Sequence, residues 1–168
     1  MAEQHDESWR CFEDAFRAIL SQHKDFFGLA SVDQQAGQLA GKSGYTWHIE
    51  VIAYAKDDGR MVLFECRRKN ANLKPSEAGE LAFRMEDTGA GRGYFVTTLE
   101  RGLSEGAKKI ADYREIGHIQ LSADARPDQY VLRFLSQIFV GITDRVSVTD
   151  SFYYELRDKD GNIIQKGI

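Results

Sequence analysis

The sequence predicts an α/β fold in which a central mixed β-sheet is flanked by helices. Two features of the sequence support this prediction. Through the middle of the chain, segments of strand character alternate with segments of helical periodicity in the order β-β-α-β-α-β. Strands separated by single helices imply right-handed crossovers, so part of the sheet must be parallel, whereas the first two strands are joined by a tight turn.

An amphipathic helix is predicted near the start of the chain, from about Asp6 to about His23. Its apolar residues recur at helical spacing: Trp9, Phe12, Phe16, Ile19 and Leu20. The stretch from Gln34 to Tyr45 is polar and contains glycine, which indicates an irregular strand or a long loop.

The two strands of a hairpin follow. His48 to Tyr54 is alternating and rich in β-branched residues, and it therefore predicts a strand. Met61 to Arg67 is its partner, and the unbroken apolar run at its start predicts a position in the middle of the sheet. The Asp58-Gly59 pair between the two strands is the main turn signal.

Two helix–strand units complete the predicted core. The helix from Pro75 to Gly89 has proline in its first turn and glycine at its end, which are typical helix boundaries. The segment from Gly93 to Thr98 is a short buried strand. The third helix, from Ser104 to Ile116, has serine as a suitable N-cap, and His118 to Ser122 is the next strand.

The pattern changes after Asp124. A helix is predicted from Pro127, with these apolar positions: Val131, Phe134, Leu135, Ile138 and Phe139. Two strands then follow, with a turn at Asp160-Gly161. We expect residues 1–125 to form the core, and residues 126–168 to be a C-terminal helix and β-hairpin extension of the same domain, because that segment is too short to fold alone.

Composition and charge exclude several classes of protein. A chain of 168 residues that is 42% hydrophobic and 29% charged is long enough and apolar enough for one globular domain. Its formal net charge of -4 is not that of a strongly basic protein, so any binding to nucleic acid must depend on a local basic patch. Two cysteines indicate no disulfide framework. The polar N-terminus and the lack of a long apolar run predict a cytoplasmic protein without membrane association.

The residues that point to chemistry lie on the predicted hairpin. Alternate side chains of a strand share a face, so Glu65, Arg67 and Lys69 point to one side. Pairing within the hairpin can bring Glu50 to about 5 Å from Glu65. Two close carboxylates repel each other unless a cation lies between them, and carboxylate oxygens are preferred ligands of Mg²⁺ and Mn²⁺. Two acids with a nearby basic side chain therefore predict metal-assisted hydrolysis of a phosphodiester.

The same segments resemble a known family. Ser43 to Val51 is similar to that family's approach to its first acid, and Phe64 to Arg67 is similar to its Glu-Cys-Lys strand. Gly93 to Thr98 and Ser104 to Ala111 are similar to the strand and helix that follow. In this order and spacing, the chain from about Ser8 to about Leu121 resembles the Mrr-type restriction endonuclease domain of the PD-(D/E)xK nuclease superfamily.

The resemblance implies a restriction-endonuclease-like fold and a DNA endonuclease of restriction or repair. Glu50, Glu65 and the backbone carbonyl of Cys66 would hold Mg²⁺ or Mn²⁺. Two residues depart from the family pattern, because Glu50 replaces the usual aspartate and Arg67 replaces the usual lysine. An arginine keeps its proton, so Arg67 cannot be a general base, although its donors can bind a phosphate. Lys69 is the alternative cation on the same face.

Two other classes of function remain open. A catalytically inactive nuclease-fold module that binds nucleic acid or a protein partner agrees with the negative net charge and with Arg67. The other class is a small dimeric interaction protein, a homodimer with the C-terminal helix and hairpin as its interface. Five aromatic residues there suit a buried contact: Phe134, Phe139, Phe152, Tyr153 and Tyr154. Glu13 is a weaker site candidate, and Glu80 and Arg84, one helical turn apart, are interpreted as a surface pair.

Overall fold

The computed structural model describes residues 2–68, 71–126, 130–134, 145–149, 153–157 and 163–167. Three helices lie within these ranges: α1 (Ala2–Gln22), α2 (Pro75–Thr88) and α3 (Glu105–Tyr113). The strands are β1 (Leu29–Val32), β2 (Gly37–Ala40), β3 (Thr46–Ile49), β4 (Val51–Ala55), β5 (Met61–Arg67), β6 (Arg92–Thr98), β7 (Gly117–Leu121), β8 (Tyr130–Phe134), β9 (Arg145–Thr149), β10 (Tyr153–Arg157) and β11 (Ile163–Gly167). In the described part of the chain, no helix has the length and apolar character needed to cross a membrane.

The strands form one large mixed sheet and one small hairpin. The large sheet has the order β1-β4-β5-β6-β7-β8-β9-β10-β11, and β2 pairs with β3 separately. Strands β5, β6 and β7 are parallel, and the other pairs are antiparallel. The predicted β-β-α-β-α-β core and its mixed sheet are therefore confirmed.

The helices cover opposite faces of this sheet. Phe12, Phe16 and Leu20 of α1 are buried with Phe64 and Cys66 of β5 in one core cluster. We call this side the α1 face. On the opposite side, which we call the α2–α3 face, α2 and α3 pack around Phe95 of β6. Because side chains alternate along a strand, Glu65 and Arg67 lie on the α2–α3 face, opposite Phe64 and Cys66.

The prediction of one continuous strand from His48 to Tyr54 is wrong. The strand is interrupted at Glu50, where the backbone bends. Before the bend, β3 leaves the large sheet and pairs with β2, so the stretch from Gln34 to Tyr45 contains a regular strand and a loop. After the bend, β4 pairs with β5. Both halves of the segment have the residue pattern of a strand. They form two strands because the first half pairs with β2 and the second with β5.

The helix predicted from Pro127 is also corrected. Tyr130 to Phe134 is strand β8, which pairs antiparallel with β7. The apolar positions Val131 and Phe134 fit a helix, but Tyr130 and Leu132 are buried at the period of two that a strand requires. The open edge of β7 supplies the hydrogen-bonding partner. Leu135, Ile138 and Phe139 lie outside the described residues.

Three strands follow β8 in the described ranges, one more than predicted. β9 pairs with both β8 and β10, and β10 forms the predicted antiparallel pair with β11. The predicted turn at Asp160-Gly161 lies outside the described residues. Within the described ranges, the C-terminal segment thus continues the large sheet beyond β7.

Candidate active site

The two predicted acids lie side by side at the bend between β3 and β4. Val51 pairs with Phe64, so the next position places Glu50 beside Glu65. Both carboxylates are buried, with Glu50 8% exposed and Glu65 4% exposed. The amide of Cys66 donates a hydrogen bond to Glu50 Oε2. The bend therefore directs the Glu50 side chain to a backbone donor of β5.

Arg67 lies between the two acids. Its Nη1 is 2.9 Å from Glu50 Oε1, and its Nη2 contacts Glu65 Oε1. The same Nη1 donates to the carbonyl oxygen of Cys66 at 3.2 Å. The guanidinium thus contacts all three groups that the sequence predicts as metal ligands. The oxygens of these three groups therefore hold one positive charge, that of the Arg67 guanidinium.

A second arginine reaches Glu65 from helix α2. Arg84 is 7% exposed, and its Nη1 lies 2.5 Å from Glu65 Oε2. Its Nη2 lies 2.7 Å from Glu80 Oε1. The predicted pair of Glu80 and Arg84 is therefore present, and Glu80 is exposed, but the prediction that Arg84 lies at the surface is wrong. The signal for its burial is its helical spacing, because Ala78, Leu81 and Arg84 follow one another at intervals of three.

The hairpin β2–β3 fixes the position of Arg84. The carboxylate of Asp87 accepts hydrogen bonds from Trp47 Nε1 and from the amide and hydroxyl of Ser43, each at 2.7 Å. These bonds, that of Trp47 first, lower the pKa of Asp87. A side chain at Gly41 would overlap the Asp87 carboxylate, so glycine permits this close approach. The Trp47 ring lies 5.2 Å from the Arg84 guanidinium, a distance that favours a cation–π contact.

Burial dominates the electrostatics of the two acids. Burial, and next the charge of Glu65, raise the pKa of Glu50 to about 8, although Arg67 opposes this. Burial also raises the pKa of Glu65, against the attraction of Arg67 and Arg84. Burial alone would lower the pKa of Arg67, but the two carboxylates raise it. The acids therefore need positive charge nearby, and two guanidinium groups supply it.

Helix α1 adds contacts from the other side of the bend. Nη2 of Arg17 donates to the carbonyl oxygen of Glu50 at 2.6 Å, and its Nη1 pairs with Asp14. The charge of Glu13, the weaker candidate, also contributes to the raised pKa of Glu50. Arg17 was not predicted from the sequence. Its position on the helix face that carries Phe16 and Leu20 is the only signal for it.

The remaining predicted residues have different positions. Lys69 lies outside the described residues. The Cys66 thiol is buried on the α1 face, whereas its backbone amide contacts Glu50 and its backbone carbonyl contacts Arg67. His118 is buried on β7, with Nε2 2.8 Å from Thr97 Oγ1. Among the residues that the structure describes, no group of three or more His, Cys, Asp or Glu side chains could hold a metal ion.

Comparison with known proteins gives a family. Residues 5–125 match the Mrr_cat family model, which is described as restriction endonuclease. No curated protein matches the chain. A crystal structure of AF1548, a protein of unknown function, is 21% identical with a TM-score of 0.51, and the match covers 63% of this chain and 56% of that one. This likeness supports the fold.

The structure of EndoMS in apo form is 16% identical with a TM-score of 0.38, and the match covers 64% of this chain and 43% of that one. The matches thus span about half the length of these two solved structures. The family match covers both acids, Arg67 and the whole β-β-α-β-α-β core. The chain therefore belongs to the restriction endonuclease family of the Mrr type.

Proposed function

We propose that this chain is a divalent-metal-dependent DNA endonuclease that hydrolyses phosphodiester bonds in the cytoplasm, in restriction or repair. One observation carries the proposal. The carboxylates of Glu50 and Glu65 and the carbonyl of Cys66 all contact a single cation, the guanidinium of Arg67. These three groups therefore lie around one positively charged group, which is the observation that supports a shared cation site. The family match supports nuclease activity.

The chemistry of these donors fits Mg²⁺ or Mn²⁺. Both ions prefer hard oxygen ligands, and Glu50, Glu65 and the Cys66 carbonyl provide only oxygen atoms. A bound ion would lower the pKa of a water molecule and neutralise negative charge on the phosphate. Because Arg67 holds the same oxygens, it must leave them when the ion binds. The buried Nε of Arg67 has no hydrogen-bond partner within the described ranges, so this position does not satisfy all its donors.

The protein residues then have distinct roles. Glu50 and Glu65 would hold the ion, and Arg84 would keep Glu65 oriented through the contact that it already makes. Arg67, once displaced, would donate to the scissile phosphate through its planar set of N–H groups. Lys69 remains the second proposed cation for the same phosphate. The nucleophile would be water.

Cleavage of plasmid and genomic DNA, methylated and unmethylated, with Mg²⁺ or Mn²⁺ tests this proposal. Glu65→Gln should abolish cleavage with little loss of DNA binding, because the amide keeps the shape but removes a charged ligand. Glu105→Gln is the matched control, since Glu105 is exposed and forms an ion pair with Lys109 on α3. Arg67→Lys should retain or raise activity, and Arg67→Ala should lower it.

Lys69→Ala identifies the catalytic cation. A large loss of cleavage in this variant, with little loss in Arg67→Ala, would assign the role to Lys69. If neither Mg²⁺ nor Mn²⁺ binds by calorimetry, and no DNA is cleaved under any of these conditions, the enzyme proposal is wrong.

The contacts of Arg67 also favour a second candidate. Arg67 and Arg84 together place two positive charges beside Glu50 and Glu65 without a metal. The second candidate is therefore an inactive nuclease-fold module that binds nucleic acid or a protein partner.

We also propose that the chain forms a homodimer. Sedimentation at several concentrations tests this proposal.

We also propose that residues 126–168 belong to the same domain as residues 1–125. In support, β8 pairs with β7, and Tyr130 and Leu132 are buried with residues of α1 and β5.

A further inference from the structure

Three arginines occupy directly opposed positions on neighbouring C-terminal strands. Arg133 of β8 pairs with Arg145 of β9, and Arg145 pairs with Arg157 of β10. We call these three residues the arginine row. They lie beyond residues 5–125, which match the family.

The arginine row lies on the same face of the sheet as the candidate active site. Arg67 pairs with Thr97, Thr97 with Gln120, and Gln120 with Arg133. Directly opposed residues of neighbouring strands share a face. One register line therefore crosses six strands, from Arg67 on β5 to Arg157 on β10. At about 4.8 Å between strands, this line is about 24 Å long.

The opposite face of the same strands is apolar, which explains why the register is fixed. Leu121 pairs with Leu132, Leu132 with Val146, and Val146 with Leu156. Leu121 and Leu132 are fully buried in the core on the α1 face. A shift of one residue would move the arginines to this apolar face, at a high cost in free energy.

The arginine row concentrates positive charge in a chain whose net charge is -4. Within the described residues of β8 to β11, this face carries four cationic residues and one acid: Arg133, Arg145, Arg157, Lys166 and Glu155. Like charges that lie directly opposite each other in a sheet are destabilising. Arg145 has an arginine on each side, so this arrangement favours a bound polyanion.

We infer that the arginine row binds the phosphate backbone of duplex DNA and extends the contact with DNA away from the candidate active site. This inference rests on DNA being the substrate in the proposed function. Arginine donors match phosphate geometry, and such contacts supply affinity without reading sequence. A line of about 24 Å spans about seven base pairs of duplex, at roughly 3.4 Å of axis per base pair.

The test is the salt dependence of binding to a fluorescent duplex, measured by anisotropy without divalent metal so that cleavage plays no part. Each phosphate contact contributes about 0.9 to the slope of log affinity against log salt concentration. The triple variant R133Q/R145Q/R157Q should therefore lose about 2.7 from the slope. When salt rises from 50 to 200 mM, the affinity of the wild type for DNA should then fall by a factor about 40 times larger than the factor by which the affinity of the triple variant falls.

Two kinds of control accompany this measurement. The triple Arg→Lys variant should keep most of the slope, because it keeps the charge. Arg60→Gln, in the turn between β4 and β5 and paired with Asp58, should leave the slope unchanged. The Tm of the Gln variant should be equal to or above that of the wild type, since repulsion between the arginines is removed. If the triple Gln variant does not fold, the three single variants are measured, each with an expected slope loss of about 0.9.

The outcomes separate this inference from the proposed function. If the triple Gln variant binds with the wild-type slope, or if the wild type binds no duplex, the inference is overturned. It is also overturned if the variant only changes a dimer to a monomer, with the affinity for DNA unchanged. If the slope falls as expected while the wild type neither cleaves DNA nor binds metal, the arginine row is supported and the endonuclease proposal fails.

Discussion

Arg67→Ala is the variant that most directly tests whether a guanidinium and a metal ion compete for the same oxygens. In the structure, Arg67 contacts Glu50, Glu65 and the Cys66 carbonyl. Its side chain is 20% exposed, so solvent screens these contacts only in part. Removing one partner of a buried ion pair costs about 3–5 kcal/mol, because the remaining charge is left without its partner.

The attraction between Arg67 and the two acids also opposes the binding of a divalent ion to the wild type, because the ion must displace the guanidinium. If about 3 kcal/mol of attraction between Arg67 and the acids is lost when the ion enters, the affinity of the wild type is reduced about 150-fold. We therefore expect Arg67→Ala to bind Mg²⁺ or Mn²⁺ about 100-fold more tightly than the wild type. The variant should unfold at a lower temperature without metal and should recover stability when metal is added, because a ligand stabilises the state that binds it.

Calorimetric titration and thermal melting, each with and without Mg²⁺, provide the measurement. Arg92→Ala is the matched control, since Arg92 forms an ion pair with Asp57, away from the two acids. It should leave the metal affinity unchanged. A variant at Arg67 that binds the ions no more tightly than the wild type would refute the competition, and with it the role that we propose for Arg67.

Two further predictions concern stability. Burial lowers the pKa of His118 to about 4, against an ordinary value of 6.5, so the unfolded chain takes up the proton first as pH falls. Neutral His118 therefore contributes fully to the free energy of unfolding above pH 6.5. As pH falls from 6.5 towards 4, that free energy decreases by about 3 kcal/mol in total. Urea unfolding of the wild type and of His118→Asn should give free energies whose difference changes across this range, and a constant difference would contradict the prediction. Truncation after Ala125 removes the buried side chains of Tyr130 and Leu132 and exposes the edge of β7, so it should lower the unfolding free energy by at least about 3 kcal/mol. Equal stability and equal size in solution for the truncated and full chains would show that the extension is not part of the fold.

The sequence alone determined the core, the family and the identity of the two acids. The order β-β-α-β-α-β is encoded in short local patterns, because a strand, a helix boundary and a tight turn each depend on neighbouring residues. The alternation along β5 also determines that Glu65 and Arg67 share a face. Together with the motif around Glu50, these local features were sufficient to predict the fold and the Mrr-type family.

Contacts between different elements, which only the tertiary structure shows, decided the structure of two segments and the position of Arg84. The strand from His48 to Tyr54 is broken because β2 provides a pairing partner for its first half. Tyr130 to Phe134 is a strand because the edge of β7 was open to it. Arg84 joins the candidate site because its guanidinium reaches Glu65, which lies on a different element. In each case the deciding hydrogen bonds or ion pair join two different elements, and the residue pattern within a single element does not contain that information.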